Sequence, residues 1–283
     1  MASSSSTVPD WLPAAWSRTY IRRGEGGQLG EPDSSVSVRY IQTGGGHAFD
    51  LRIANDFALP ADVKSADDAS LEHLQHLASG AVECFAGVTT AEAHGDGTCT
   101  LRWHGAFLFP PQLGDDAAPT AVFASIAAGT HETGDVGVAT PTLPTSRAKP
   151  VVRWLEHAPD ASYEEEWLLL ESYFRQGAHV AATKPARAGC GACHLSIVGN
   201  TFGFTRDIDR AVLPAAARGR PMGEVLADEG IPLAAKRRLM DCEFSFGFFG
   251  QGGGVGGVVE RSSLPWRRGL ALATLLGDDD AAW

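Results

Sequence analysis

The chain lacks the long apolar runs of a membrane protein and the basic surface of a nucleic-acid-binding protein. No stretch of its 283 residues approaches the ~18 apolar residues of a membrane span. Asp and Glu number 34 against 23 Lys and Arg, so the net charge is −11. Because a nucleic-acid backbone and an anionic membrane both require a positive surface, we expect neither as a partner.

Cysteine is also scarce, and the five cysteines are an odd number. Residues Met1–Thr7 are rich in serine but have neither the basic start nor the apolar core of a secretory signal. Both observations favour reduced thiols in a cytosol-like compartment. The sequence therefore predicts a cytoplasmic protein with a short flexible N-terminal tail, and a fragment of an organelle transit peptide is the alternative for Met1–Thr7.

Two of the cysteines belong to the motif Cys190-Gly-Ala-Cys193-His194, which matches the attachment signature of c-type haem. The segment has the pattern of the beginning of a strand, and neither an export signal nor an axial methionine is indicated. A zinc site would need a second pair of ligands, and a redox dithiol would need its first cysteine at a helix N-terminus. We therefore interpret the pair as reduced thiols at a hairpin, and we predict no metal and no cofactor.

Glycine and proline are abundant, at 33 and 16 residues, and 44% of the residues are hydrophobic. Many short strands with tight turns fit this composition better than long helices do. Helical spacing is found at Ser65–Gly80 and at Pro221–Met240, which is interrupted at Gly230–Pro232. Ala121–Ile126 is predicted to be a strand, and the pattern of Tyr163–Phe174 fits both a helix and a strand.

A β-hairpin is predicted at Val36–Ile53, where two alternating runs flank Gly44–Gly46. A three-residue loop would place Asp50 opposite Tyr40, whereas a four-residue loop would shift every pair and exchange the two faces. With the three-residue loop, one face would carry Tyr40, Gln42, Asp50 and Arg52, and the other Ile41, Phe49, Leu51 and Ile53. The polar face is either the floor of a ligand pocket inside a barrel or an ordinary charged surface.

Short segments spread over most of the chain resemble the two-barrel lipocalin-like (calycin-type) proteins of fungi and bacteria, most of which have no assigned activity. The segments are Tyr40–Gln42 leading to Phe49–Ile53, Phe85–Gly87, Thr98–Trp103 running to Phe109–Pro111, Tyr163-x-Glu165-x-Trp167, Phe204–Asp207, Asp241–Gly247 and Ser263–Gly269. The resemblance implies two antiparallel lipocalin-like β-barrels, with one or two short helices each and a small-molecule cavity. It favours a strand at Tyr163–Leu169 and supplies no catalytic residue. The glycine loop Gly250–Gly257 and the Cys190–His194 cluster depart from the pattern.

The domain organisation follows from this resemblance and from the order hairpin, helix, strands, which occurs twice along the chain. A flexible tail is predicted over residues 1–14, a first barrel over 15–130, a linker or excursion over 131–150, a second barrel over 151–272 and a C-terminal tail over 273–283. The repeated order is also what a shared β-meander would produce without any duplication.

Polar side chains embedded in predicted strands, with aromatic residues around them, are the candidate site, because aromatic walls and a few convergent polar groups describe a small-molecule pocket. The candidate ligand-binding residues are Trp16, Arg18, Tyr40, Gln42, Trp103, His104, Tyr163, Glu165, Trp167, Arg206 and Trp266. The candidate catalytic residues are Asp50, Arg52 and Glu243.

Binding of a small apolar or aromatic ligand in a barrel is the leading functional hypothesis, with Gln42, Asp50 and Arg52 orienting the polar end of the ligand. The first alternative is a cofactor-independent lyase, isomerase or hydratase, in which Asp50 or Glu243 moves a proton and an arginine stabilises negative charge. The second alternative is a protein-interaction module. The sequence leaves the ligand and the oligomeric state open.

Overall fold

The structure is a computed structural model, and it describes residues 8–25, 28–114, 118–131, 134–142, 150–172, 179–187, 190–250 and 256–277. Parts of the predicted tails, of the predicted linker over 131–150 and of the glycine loop lie outside these residues. The prediction of a mainly β protein is confirmed, because fourteen strands in two antiparallel sheets account for most of the regular structure described.

Eight antiparallel strands close into a β-barrel. They are β1 (Ala14–Glu25), β3 (Val36–Gln42), β4 (His47–Ala54), β5 (Val82–Ala93), β6 (Cys99–Phe109), β7 (Val136–Pro141), β8 (Arg153–His157) and β9 (Tyr163–Ser172). The short strand β2 (Gln28–Leu29) pairs with the end of β1. Strand β9 closes the barrel against β1, where Arg18 lies opposite Trp167. The strand at Tyr163–Leu169 is therefore confirmed.

The predicted hairpin is formed by β3 and β4 with the three-residue loop Gly44–Gly46. The Thr43 N–H donates to the His47 carbonyl at 2.9 Å, and Tyr40 lies opposite Asp50. Gly46 has a φ of +86°, which a residue with a side chain rarely adopts. The odd loop length places Tyr40 and Asp50 on the same face of the hairpin, and this face points into the barrel, where both residues are buried.

The second sheet has five antiparallel strands in sequential order. They are β10 (His179–Lys184), β11 (Cys193–Val198), β12 (Thr201–Arg206), β13 (Glu243–Phe249) and β14 (Gly257–Ser262). Within the described residues no pairing joins β10 to β14, so a second closed barrel is not confirmed. The sequence division placed residues 151–172 in the second barrel, whereas β8 and β9 belong to the first, because β8 pairs with β7 and β9 pairs with both β8 and β1.

The second sheet packs against the outside of the barrel and buries the apolar face of the hairpin. Ile41, Phe49 and Leu51 point away from the barrel interior, yet all three are fully buried. The Phe49 ring lies 6.1 Å from the Phe244 ring of the second sheet. Both faces of the hairpin are therefore in the core, although the sequence offered only a choice between an inner and a solvent-exposed polar face.

Helices and helical turns connect the strands or follow the last of them. They are α1 (Leu71–His76), α2 (Pro119–Ala127), α3 (Met222–Ala227), α4 (Leu233–Leu239), α5 (Leu272–Leu276), the 3-10 turns Ala66–Asp68, Arg210–Val212, Ala215–Ala217 and Pro265–Arg267, and the π-helical turn Leu77–Ala81. None of the helices in the described part of the chain is long and apolar enough to cross a membrane.

Two predicted helical regions are confirmed, and one predicted strand is wrong. Ser70 and His73 form a capping box at the start of α1, and α3 and α4 are separated at the predicted interruption. Ala121–Ile126 lies in α2 and not in a strand. Pro119 occupies the first turn of that helix, where its fixed φ is favourable, and alanine has the highest helix propensity.

A single glycine in β12 sets how closely the two sheets approach. A Cβ at Gly203 would lie 2.6 Å from Cγ of Phe49. We expect Gly203→Ala to lower the free energy of unfolding by about 1–3 kcal/mol, because overpacking a tight core forces side chains off their rotamers. Gly223→Ala is the control, since nothing lies within 4 Å of that Cβ and α3 gains helix propensity. Equal urea midpoints for the two variants would contradict the close contact between Gly203 and the Phe49 ring.

Candidate functional site

Aromatic side chains from several strands fill the barrel interior. Trp154 and Trp167 stack at 5.3 Å with their planes 6° apart, and Tyr40 packs on Trp167 at 5.6 Å. Trp16 meets Trp154 edge-on at 6.1 Å. Trp103 Nε1 donates to Tyr40 Oη at 3.0 Å. An eight-stranded barrel is just wide enough for side chains to fill it, and these rings do so.

Two ion pairs lie among these rings. Arg18 Nη1 donates to Glu165 Oε1 at 2.5 Å, and both side chains are almost fully buried. Arg52 donates to both carboxylate oxygens of Asp50, at 2.9 Å from Nε and 3.3 Å from Nη2. The Asp50 side chain is 2% exposed and that of Arg52 is 27% exposed, so Arg52 connects the buried interior with solvent.

A fifth ionisable residue, Glu156 of β8, completes the polar network. Tyr163 Oη donates to its Oε1 at 2.8 Å, and Trp167 Nε1 lies 3.2 Å from its Oε2. Burial, together with the negative charge of Glu165, raises the pKa of Glu156 well above its usual value. The pKa of Glu165 is also raised by burial, although Arg52 and Arg18 oppose the shift. The environment therefore favours a neutral carboxylic acid at Glu156.

Glu156 and Trp154 were not among the sequence candidates, although a signal for them was present. Trp154 and Glu156 alternate along β8 as Glu165 and Trp167 do along β9. Both pairs lie on the inner face because side chains alternate between the faces of a strand, and Trp154 is aligned with Trp167 in the register. Comparing the two alternations would have brought Glu156 into the candidate set.

Gln42 connects this network to the hairpin turn. Its Oε1 accepts from Tyr40 Oη. Its Nε2 donates to the carbonyls of His47 at 3.0 Å and Thr43 at 3.2 Å. The Gln42 side chain is fully buried and its polar atoms are occupied by protein groups, so its observed role is to anchor the turn and to orient Tyr40.

The free space left inside the barrel is very small. The inner cavity has a volume of about 10 Å³ for the centre of a water-sized molecule, which is room for about one water. It is lined by Tyr40, Asp50, Arg52, Phe85, Trp103, Asp135, Trp154, Glu156 and Trp167. Trp154 Nε1 is buried with no hydrogen-bond partner in the protein.

A larger cleft opens at the end of the barrel where β4 ends and β5 begins. We call it the barrel-mouth cleft, and its volume is about 520 Å³. It is lined by Arg52, Glu83, Cys84, Phe85, Trp103, Gly105, Leu108, Phe109, Pro110, Gln112, His131, Gly134 and Asp135. Arg52, Phe85, Trp103 and Asp135 also line the inner cavity. These four residues therefore form the neck between the open cleft and the buried network.

The structure brings most of the sequence candidates together in the barrel. Trp16, Arg18, Tyr40, Gln42, Asp50, Arg52, Trp103, Tyr163, Glu165 and Trp167 all belong to the interior network described above. His104 follows Trp103 in β6 and therefore lies on the opposite face of the strand. Its imidazole is near Thr90 Oγ1 at 3.4 Å and His131, whose ring is 5.7 Å away.

Arg206, Glu243 and Trp266 lie outside the barrel. Arg206 Nη2 and Arg267 Nε approach Glu243 Oε2 at 3.4 and 3.3 Å, and Ser245 donates to Glu243 Oε1 at 2.7 Å. Burial raises the pKa of Glu243, and the two arginines oppose the shift. Trp266 belongs to the 3-10 turn after β14 and packs on the core between barrel and sheet. Glu243 therefore belongs to a different ionic cluster from Asp50 and Arg52.

The residues of the haem-like motif do not converge on one point. Cys193 and His194 are adjacent in β11 and therefore project from opposite faces. The His194 imidazole is fully buried between Thr183 and Ser196 and stacks on His47 at 5.2 Å. Burial, with His47 adding to it, lowers the pKa of His194 to about 3. Within the described residues, no group of three or more His, Cys, Asp or Glu side chains could hold a metal ion.

The sequence of the chain matches no protein-family model and no curated protein. Among solved structures, the chain is similar to the crystal structure of an uncharacterized protein from Saccharomyces cerevisiae, with 11% sequence identity and a TM-score of 0.42. The alignment covers 89% of this chain and 85% of the yeast chain.

Proposed function

We propose that the protein binds a small molecule with an aromatic part in the barrel-mouth cleft. The observation that carries the proposal is the shared neck, where Arg52, Phe85, Trp103 and Asp135 line both the open cleft and the inner cavity. A cleft of about 520 Å³ is within the range of small-molecule sites, which combine apolar walls with a few placed polar groups.

The buried polar network supports the proposal because it holds the polar groups next to the cleft in fixed positions. Arg52 at the neck is held by two hydrogen bonds to the buried Asp50, and Glu156 behind it is held by Tyr163 and Trp167, so these polar groups are positioned before a ligand arrives. Side chains fill the barrel interior. The proposed ligand therefore lies in the barrel-mouth cleft, outside the buried network. Preorganised groups reduce the entropy that binding costs.

The resemblance to lipocalin-like proteins is in keeping with this proposal, because lipocalin barrels use eight strands to hold one small ligand. In the proposed arrangement the ligand contacts Arg52, Phe85 and Trp103 at the neck. Gln42 does not contact the ligand and acts by orienting Tyr40. A lipocalin-type barrel and a second barrel around the five-stranded sheet remain part of the proposal.

Filling the cleft should abolish binding. Gln112 is exposed and lines the cleft, and we expect Gln112→Trp to occupy the space of the ligand without disturbing the core. Saturation-transfer NMR with neutral aromatic alcohols, including 2-phenylethanol, should show binding to the unmodified protein and a strong loss in the variant. Gln75→Trp, at an exposed position of α1, is the control. Equal signals in all three proteins would contradict a site in this cleft.

A second candidate function is cofactor-independent acid–base catalysis, as a lyase, isomerase or hydratase. The observation that favours it is Glu156, a buried carboxylic acid with a raised pKa beside the Arg52–Asp50 pair. Paired carboxyl groups in such surroundings are typical of proton-transfer sites. If a bound ligand is converted, Glu156→Gln and Asp50→Asn should each retain binding and lose turnover, and unchanged turnover in both would rule out this candidate.

A further inference from the structure

We infer that the ligand of the barrel-mouth cleft carries a positive charge, as a protonated amine attached to an aromatic or aliphatic body. The inference rests on the proposed function and assigns the chemical class of its ligand. It follows from which charges line the cleft, which of them are already paired, and which side-chain surfaces lie between them.

Carboxylates predominate around the cleft. Glu83 and Asp135 line it with exposed side chains, and Asp50 lies directly behind at the inner cavity. Arg52 is the single lysine or arginine among the described residues that line the cleft. A ligand that enters the neck therefore meets three carboxylates for one guanidinium.

The guanidinium of Arg52 is already engaged. It donates two hydrogen bonds to Asp50, which is itself almost fully buried and depends on this partner. Drawing Arg52 away toward an anionic ligand would leave the Asp50 charge buried and unpaired, which costs several kcal/mol. An anionic ligand would therefore gain little from Arg52 and would also be repelled by Glu83 and Asp135.

A second cavity adjoins the barrel-mouth cleft and adds no uncompensated positive charge. It shares Gly105, Leu108, Gln112 and His131 with the barrel-mouth cleft, and Arg210 lines its far side. Arg210 donates to both oxygens of Asp207, at 2.6 and 3.3 Å. Its charge is therefore compensated within the protein.

Aromatic rings complete the environment of a cation. Phe85 and Trp103 line the neck, and Phe109 lines the outer part of the cleft. The electron-rich face of an aromatic ring attracts a cation, with tryptophan the strongest. An ammonium group at the neck would lie among these rings and the carboxylates, with its apolar body along Leu108 and Phe109.

Three compounds with the same phenyl ring separate charge from shape. At pH 7, 2-phenylethylamine is a cation, 2-phenylethanol is neutral and 3-phenylpropionate is an anion. Calorimetry or ligand-observed NMR should show the amine binding about tenfold more tightly than the alcohol, a difference of about 1.4 kcal/mol, and the anion should bind most weakly. The affinity for the amine, unlike that for the alcohol, should fall as salt is added.

Two charge-neutralising variants and a matched control locate the effect. Glu83→Gln and Asp135→Asn should each weaken amine binding several-fold and leave alcohol binding unchanged. Glu92→Gln makes the same substitution at the other end of β5, at an exposed position away from the cleft. It should change neither the affinity for the amine nor the affinity for the alcohol. All three positions are exposed, so folding is preserved.

The possible failures are distinguishable. If 3-phenylpropionate binds as tightly as the amine, or if Glu92→Gln weakens the amine as much as Glu83→Gln does, the inference of a cationic ligand is wrong. The proposed function then still stands, provided Gln112→Trp blocks the compound that binds. If none of the three compounds binds and Gln112→Trp has no effect on any aromatic ligand, both the inference and the proposed function fail.

Discussion

Replacing Arg18 with methionine should lower the free energy of unfolding by about 3–5 kcal/mol at pH 7, because the change leaves the buried carboxylate of Glu165 without its partner. Arg18 Nη1 lies 2.5 Å from Glu165 Oε1, and the side chains are only 3% and 4% exposed. Methionine keeps the aliphatic stem of arginine, so the effect is chiefly that of the lost charge and hydrogen bond. Urea denaturation followed by tryptophan fluorescence measures it.

The loss in Arg18→Met should depend on pH in a definite direction. Burial already raises the pKa of Glu165, and Arg18 is one of the groups that oppose the shift. Removing Arg18 raises the pKa of Glu165 in the folded protein further, so the folded state of the variant gains more stability from protonation as the pH falls than that of the unmodified protein does. The stability deficit should therefore be largest at neutral pH and should shrink as the pH falls toward the ordinary glutamate pKa of about 4.3.

Two further variants test whether the lost partner is the cause. Arg23→Met removes an arginine from the same strand whose ion pair with Asp33, at 3.5 Å, is exposed to solvent. We expect a much smaller loss, because exposed ion pairs contribute little. Adding Glu165→Gln to Arg18→Met should restore part of the stability. A deficit that does not depend on pH and is not reduced by Glu165→Gln would show that packing, and not the ion pair, is responsible.

Replacing Trp167 with alanine should cost about 3–5 kcal/mol, as expected for a large buried aromatic side chain. Trp167 is 2% exposed and stacks on Trp154, and its Nε1 lies 3.2 Å from Glu156 Oε2. The alanine variant loses the stack and leaves a cavity beside the carboxyl group of Glu156. Because the ring also supports the floor of the barrel-mouth cleft, we expect ligand binding to weaken together with stability.

Trp167→Phe separates the two contributions of this side chain. Phenylalanine retains much of the stacking surface and removes the N–H beside Glu156, so its loss should be smaller than that of the alanine variant. Trp266→Ala is the comparison outside the barrel, at a partly exposed position of a 3-10 turn. In thermal unfolding, the melting temperature of Trp167→Ala should be lower than that of Trp167→Phe. A loss in Trp266→Ala as large as in Trp167→Ala would contradict a special role for the barrel stack.

Local features of the fold followed from the sequence because they depend on neighbouring residues. The alternation around Gly44–Gly46 predicted the hairpin but left its register open, since loop length sets the register, and the three-residue loop of the structure is the alternative that pairs Tyr40 with Asp50. The helical region within Ser65–Gly80 and the break at Gly230–Pro232 were predicted for the same reason. The strand prediction at Ala121–Ile126 failed, because a short apolar run has no period that separates helix from strand.

The sequence by itself determined a hairpin at Val36–Ile53 with alternating side chains along each strand. Only the tertiary structure decided that Tyr40, Gln42, Asp50 and Arg52 share one face, and what that face meets. Arg18 and Glu165 are 147 positions apart, and their contact exists because β9 returns to β1 and closes the barrel. The apolar face of the same hairpin is buried because the second sheet covers it. Both outcomes depend on pairing between distant segments, which no local pattern of residues specifies.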